Sequence, residues 1–306
     1  MLFACAAFFA ACAFAAQKGD DRVSDAAALL LLDRAERGDT DSKFSVAMSY
    51  AKGAKGFPQD SRAAAKWFES AAKDGNAFAQ NFTASAYAKG DGVEKDPASA
   101  AQWWRKAAES GYPEAMYNLA TCYSNGFGVK PDQREAVKWW LKAAEGGQAA
   151  AQLNVAALYL NGSYLPKSEQ QGIFWLKKSA ENGNRDARTA LAGYMYNGFA
   201  VPVNKPEAAR LWSEAAEAGD LFAQKNAAQM YYCGDGVPAD RKKFARYTLL
   251  AAAQGDLDSI FNMGVILQNG DGVEKNPEEA AEYFKKAAAR GHKGAIKILE
   301  AAAKKK

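Results

Sequence analysis

"WWRKAAESG", Trp103 to Gly111, returns as "WWLKAAEGG", Trp139 to Gly147, 36 residues further along the chain. Two adjacent indoles, an alanine pair and a closing glycine at one fixed interval are the mark of a structural repeat. Working outward, Gly38, Gly75, Gly111, Gly147, Gly183, Gly219, Gly255 and Gly291 stand in the same register, spaced 37 residues once and 36 thereafter. The extra residue falls in "KGAKGFPQD", Lys52 to Asp60. Seven repeats result, at 39–75, 76–111, 112–147, 148–183, 184–219, 220–255 and 256–291. A half repeat within 17–38 precedes them, around "LLLLDRAERG". A capping helix and a lysine tail, 292–306, follow.

Each repeat has one grammar, read most easily in the third. "PEAMYNLATCYSNG" places Ala115, Leu119, Ala120 and Tyr123 at helical spacing, and Gly126 ends that helix in a left-handed cap. A short "FGVKPD" turn follows. Its Val129 recurs as Val93, Leu165, Val201, Val237 and Val273, a plug between helices. Asp132 is matched by Asp60, Asp96, Ser168, Asn204, Asp240 and Asn276. All are residue types whose side chains accept bonds from the free amides of a helix start. The second helix runs to the next cap glycine, so each repeat is a helix–turn–helix hairpin and the chain is an all-α solenoid.

The tryptophan doublet belongs to that second helix. The Trp103 position is filled elsewhere by Trp67, Trp139, Trp175, Leu211, Tyr247 and Tyr283, and the Trp104 position by Phe68, Trp140, Leu176, Trp212, Thr248 and Phe284. Bulk persists while the indole does not, which points to core rather than a ligand platform. Adjacent helix residues diverge by about 100°, so one packs in its own hairpin while the other reaches a neighbouring repeat.

The pattern of "NLA", "NG.GV" and "WW.KAAE.G" resembles the Sel1-like repeat, a relative of the tetratricopeptide repeat, over roughly residues 25–300. The resemblance implies an α-solenoid that acts as a non-enzymatic protein-interaction scaffold, with a protein or peptide held in its concave groove. One cysteine-rich, β-lactamase-like branch of the family staples its repeats with disulfides and implies an alternative, an envelope hydrolase or penicillin-interacting protein. A second alternative is an intracellular adaptor. The fourth and fifth repeats depart from the pattern. "NGSYLPKSEQQG" and "NGFAVPVNKPE" put Tyr164 and Ala200 where the others have the second turn glycine. If that glycine sits at positive φ, the turn has to rearrange in both, giving a kink or a specialised surface.

The 306 residues are 49% hydrophobic and rich in alanine, a composition that favours packed helix. Of the net charge of +4, Lys304, Lys305 and Lys306 supply three, which leaves no electrostatic footprint for nucleic acid. The apolar stretch Leu2 to Ala16 is short for a membrane span. It reads as a signal peptide, 1–16, with Ala13-Phe14-Ala15 as a small-x-small cleavage signal, although no Lys or Arg precedes it. Phe9-Ala10-Ala11-Cys12 makes Cys12 a candidate lipid anchor, and an exported, periplasmic or secreted protein is expected. Cys5 and Cys12 lie in that segment. Cys122 and Cys233 sit three repeats apart, too far for a disulfide, and are expected as unpaired, mostly buried thiols.

Little chemistry is readable. Ser70-Ala71-Ala72-Lys73 matches S-x-x-K, but the Ser-Asp-Asn and Lys-Thr-Gly partners are absent from the sequence. The one histidine, His292, and two scattered cysteines suggest neither a triad nor a metal site, and no cofactor is expected. The turns "KGDGVEKD", "CGDGVPAD" and "NGDGVEKN" lack the context of a phosphate loop or an EF-hand. Candidate partner-binding residues lie on the first helices. Asn118, Asn154, Asn226 and Asn262 precede the core position, and Tyr117, Lys225 and Phe261 stand one residue earlier. An amide ladder of this kind matches a peptide backbone. The same asparagines are equally suited to bonds within their own repeat.

Overall fold

A computed structural model describes residues 25–54 and 56–303. The proposed leader, Cys5, Cys12, most of the 17–25 stretch and the lysine tail lie outside the described residues. Among those described there are sixteen helices and no strand, an all-α solenoid fold of seven hairpin repeats. Helix α1, Ala26–Glu36, precedes the repeats. The hairpins are α2 Thr40–Lys52 with α3 Ser61–Lys73, α4 Ala77–Lys89 with α5 Pro97–Glu109, α6 Pro113–Asn125 with α7 Gln133–Glu145, and α8 Ala149–Asn161 with α9 Glu169–Glu181. Then come α10 Arg185–Asn197 with α11 Lys205–Glu217, α12 Leu221–Cys233 with α13 Arg241–Ala253, and α14 Leu257–Asn269 with α15 Pro277–Ala289. Helix α16, Lys293–Ala303, closes the series. The chain forms two compact bodies, Met1–Ala151 and Gln152–Lys306.

The same devices form every hairpin. All seven expected N-cap residues, Asp60 through Asn276, cap the second helix by accepting from one or two first-turn amides. Each such cap is worth about 0.5–2 kcal/mol. The backbone amide of that residue also donates to a carbonyl near the end of the first helix, as Asp96 does to Tyr87 (2.9 Å) and Asp132 to Tyr123 (2.9 Å). The first repeat keeps this bond, Asp60 to Tyr50 at 3.0 Å, so its extra residue is absorbed within the turn.

Small residues let the helices approach closely. Ala107, Ala143, Ala215 and Ala251 are fully buried, as is Leu119. In the N-terminal body one apolar cluster surrounds Val46, Tyr50 and Phe68 and a second surrounds Trp104, Leu119 and Trp139. Trp103 touches both clusters, whereas Trp104 belongs to the second, so the doublet diverges as its helical offset requires. The C-terminal body has one cluster around Leu176, Leu191 and Trp212 and another around Met263, Ile266 and Phe284.

Two expectations are corrected. The turns of the fourth and fifth repeats do not rearrange. Tyr164 (φ 62°) and Ala200 (φ 56°) enter the same left-handed region as Gly128 (φ 70°) and Gly236 (φ 78°). The two flanking helices and the closing bond, Ser168 to Tyr159 (2.9 Å) and Asn204 to Met195 (2.8 Å), hold the backbone path whatever residue occupies it. The thiols also differ from each other. Cys122 is buried, but Cys233 is exposed, because it is the last residue of α12 and lies beside the cap Gly234. Both are unpaired.

Candidate functional site

Numbered from its own first residue, each first helix presents positions 6, 9, 10 and 13 along one side, the i, i+3, i+4, i+7 pattern. In the third repeat these are Asn118, Thr121, Cys122 and Asn125. Together with Trp104 of α5 and Phe127 of the turn they line a cleft of about 330 Å³. The second repeat has the equivalent cleft, also about 330 Å³, in which Phe82, Ser85, Ala86 and Lys89 of α4 face Phe68 of α3. Phe68 and Trp104 occupy the same place in their helices, so the second member of the aromatic doublet walls the cleft as well as filling the core. In the C-terminal body, Asn262, Val265, Ile266 and Asn269 of α14 line a third cleft of about 270 Å³, with Gln229 and Tyr232 of α12 and Phe244 of α13.

Neighbouring first helices touch directly in the N-terminal body. Phe44 of α2 lies 5.9 Å from Phe82 and 6.2 Å from Phe78 of α4. Asn118 Nδ2 of α6 donates to Asn81 Oδ1 of α4 at 3.2 Å, and Trp104 Nε1 donates to the same oxygen at 3.1 Å. Asn81 thus orients both the rim amide and the indole wall of the third-repeat cleft. Asn81 shares the register of Tyr117, Lys225 and Phe261 but is not among the candidates of the sequence reading, because Phe82 fills the asparagine position of the second repeat and the ladder does not extend there. Lys89 and Asn125 were also missed. Their signal was present in the residue before each first-helix cap glycine, which is Lys or Asn in every repeat but the sixth.

The remaining candidates are distributed differently. Asn262 is exposed on its cleft, whereas Asn154 is half-buried. Asn226 donates to the Phe222 carbonyl at 2.8 Å within its own helix. Lys225 pairs with Asp256 at 2.8 Å and ties the sixth repeat to the seventh. Phe261 stacks on His292, centroids 4.2 Å apart, and Tyr117 is half-buried. Asn118 and Asn262 are therefore the ladder members placed on clefts, while Lys225 and Phe261 brace adjoining repeats.

Reactive chemistry is subdued. Burial alone pushes the Cys122 thiol up to about 12, so at neutral pH it is a protonated apolar group. Lys73 of the S-x-x-K match pairs with Glu69 at 2.8 Å. His292 accepts from the Ala295 amide through Nδ1 (3.2 Å) at the start of α16. Among the described residues no three His, Cys, Asp or Glu side chains gather as a metal site, and no helix is long and apolar enough to cross a membrane.

A family model described as Sel1 repeat matches residues 40–76, 77–112, 113–148, 149–184, 185–220, 221–256 and 257–292. The crystal structure of a protective antigen present in uropathogenic Escherichia coli strains, displaying an SLR fold, matches at 32% identity with a TM-score of 0.78, covering 88% of this chain and 57% of that one. A Sel1 repeat protein from Oxalobacter formigenes matches at 29% identity with a TM-score of 0.68, covering 90% of this chain and 79% of the other. This chain thus spans a little over half the length of the Escherichia coli protein. No curated protein matches it.

Proposed function

The chain belongs to the Sel1 repeat family, whose solenoid is typical of protein–protein interaction scaffolds, and from that premise we propose that it is a non-enzymatic scaffold holding a protein or peptide along its first helices. The observation that carries this reading is the recurrence of one cleft in the same register of three repeats, each with an apolar wall and an amide rim. An apolar wall supplies burial and an amide rim supplies directional bonds, the usual composition of a recognition groove. The buried thiol and the paired Lys73 and His292 support a binding role over a catalytic one. We also propose export, supported by the apolar-to-polar switch after Ala16 and the Ala13-Phe14-Ala15 signal. N-terminal sequencing of the mature protein tests that part, and an intact Met1 on the cell's product refutes it.

The scaffold reading is tested by capturing partners from an envelope extract on the immobilised full chain and mapping the contact by hydrogen exchange. Protection is expected on α4, α6 and α14. A partner that protects only second helices overturns the assignment of the clefts.

A further inference from the structure

The turn carboxylates of the two bodies differ in what they meet. In the C-terminal body, Asp235 and Asp271 stand between the two glycines of the sixth and seventh turns. Each pairs with the first residue of the preceding repeat's second helix, Asp235 with Lys205 at 2.8 Å and Asp271 with Arg241 at 3.5 Å. Each of those cations also lies over a tyrosine of its own repeat's first helix. Lys205 Nζ is 4.9 Å from the Tyr196 ring centre, and Arg241 Cζ is 4.0 Å from that of Tyr232. Tyr232 and Asp271 both line the C-terminal cleft, so the chain's own arginine joins its aromatic and acidic sides.

The second-repeat cleft has the acid without the base. Asp91 holds the position of Asp235 and Asp271. The glycine after it seats the turn in the same way, since a β-carbon on Gly92 would strike the Ser61 carbonyl just as one on Gly272 would strike that of Arg241. Ser61 stands where Lys205 and Arg241 stand in their helices, and Ala51 stands where Tyr196 and Tyr232 do. Two long side chains are thus replaced by short ones, and Ala51, Ser61 and Asp91 all line the open cleft. Lys89 lies on it as well. Both charged residues are exposed, and among the described residues neither forms an ion pair.

These groups define what fits. An unpaired carboxylate attracts a cation, and the two equivalent carboxylates of this molecule take an ammonium and a guanidinium. A lone cation would also be repelled by Lys89. A ligand with a carboxylate beside its cation meets the opposite charge at both, because Asp91 and Lys89 are two residues apart and their backbones lie within about 7 Å. The stem of a long basic side chain packs on apolar surface while its head stays in water. Phe68 and Phe82, stacked with centroids 4.9 Å apart, supply that surface in the same cleft.

Resting on the scaffold reading above, we propose that the second-repeat cleft receives a basic side chain of the partner. Its cation pairs with Asp91 as Arg241 pairs with Asp271, its stem lies on Phe68 and Phe82, and a carboxylate next to it meets Lys89. The cleft reads one side chain and its neighbour, so it makes no demand on whether the partner's backbone is helical or extended.

The test is a nuclear magnetic resonance titration of the isotope-labelled full chain with three capped dipeptides, arginine–aspartate, arginine–asparagine and glutamine–aspartate. Arginine–aspartate is expected to shift the amides of Ser85 and of Gly90 to Gly92. It should bind about two- to fivefold tighter than either single-charge probe, the range of partly exposed ion pairs. Asp91→Asn should remove the preference over glutamine–aspartate and keep that over arginine–asparagine, and Lys89→Gln should do the reverse. Ser61→Arg, a change at an exposed residue that copies Arg241, should fill the site from within and remove the shifts at Gly90 to Gly92 with unchanged circular dichroism. Equal affinity for the three dipeptides, or a Ser61→Arg chain that binds arginine–aspartate as the native chain does, overturns the proposal. If no dipeptide binds while a captured partner still protects α4, the charge assignment is wrong and the scaffold reading stands. If the captured partner protects only second helices, both fall.

Discussion

The turns of the fifth and sixth repeats follow one backbone path with different residues, Phe199-Ala200 in the fifth and Asp235-Gly236 in the sixth. In the sixth, a β-carbon on Gly236 would come 2.5 Å from Cβ and 2.8 Å from the carbonyl carbon of Lys205, at the start of α11. The missing side chain lets the turn settle on the preceding repeat, and Asp235 locks it there by accepting from Lys205 Nζ (2.8 Å) and Tyr196 Oη (2.7 Å). In the fifth, Ala200 carries the β-carbon that Gly236 lacks. Phe199 turns to Tyr194, 5.1 Å away, and remains 44% exposed, with Val203 also exposed. Positive φ is therefore a demand of the hairpin, met even by tyrosine and alanine, whereas glycine is a demand of close approach between repeats.

Exchanging the residues separates the two demands. Gly236→Ala adds left-handed strain of about 1–2 kcal/mol and forces the turn off Lys205, so a loss of roughly 2 kcal/mol or more is expected. Hydrogen exchange around α11 and the start of α13 should rise most, since solenoid contacts run between neighbours. Unchanged exchange there would show that the close approach contributes nothing.

Asp235→Asn removes the ionic lock and should loosen the same junction less than the glycine change does. The carboxyl is held below its usual value by the bonds from Lys205 and Tyr196. A depressed folded value means that the contribution is present above the ordinary carboxylate range and is lost as pH falls through the lowered value. Protection near Asp235, taken relative to the intrinsic exchange rate at each pH, should therefore fall in acid in the native chain and be less sensitive to pH in the variant. Equal acid sensitivity in the two chains assigns the effect to another group.

Ala200→Gly should stabilise the fifth repeat, because relief of left-handed strain outweighs the added freedom of the unfolded glycine by about 0.5–1 kcal/mol. A lowered thermal midpoint would mean that the Ala200 methyl packs usefully. The smallest perturbation is a probe. Cys233, beside the sixth turn, should be alkylated readily at pH 8. Cys122, buried and pushed up to about 12, should react only as its repeat opens. Comparable rates for the two thiols would contradict the burial of Cys122.

The candidate site was legible in part. Asn118 and Asn262 could be found from their register, since a period of 36 residues returns each position to the same side of the hairpin. Asn81 could not, because its role depends on two donors, Trp104 and Asn118, from other helices. Nor could the diversion of Lys225 to Asp256 and of Phe261 to His292, which rests on how far one repeat reaches over the next.

The sequence by itself determined the helices, their caps, the hairpin turn and the number of repeats. These are local matters: 3.6-residue periodicity, side chains that accept first-turn amides, and glycines that end helices. Only the tertiary structure decided which rim amides face a cleft and which are tied inside, that Tyr164 and Ala200 take left-handed backbone, and that one thiol is buried and the other exposed. The left-handed turns are held by each hairpin's own helices and closing bond, whereas the Asn118 and Lys225 outcomes depend on side chains more than 30 residues away, brought near by the packing of one hairpin on the next.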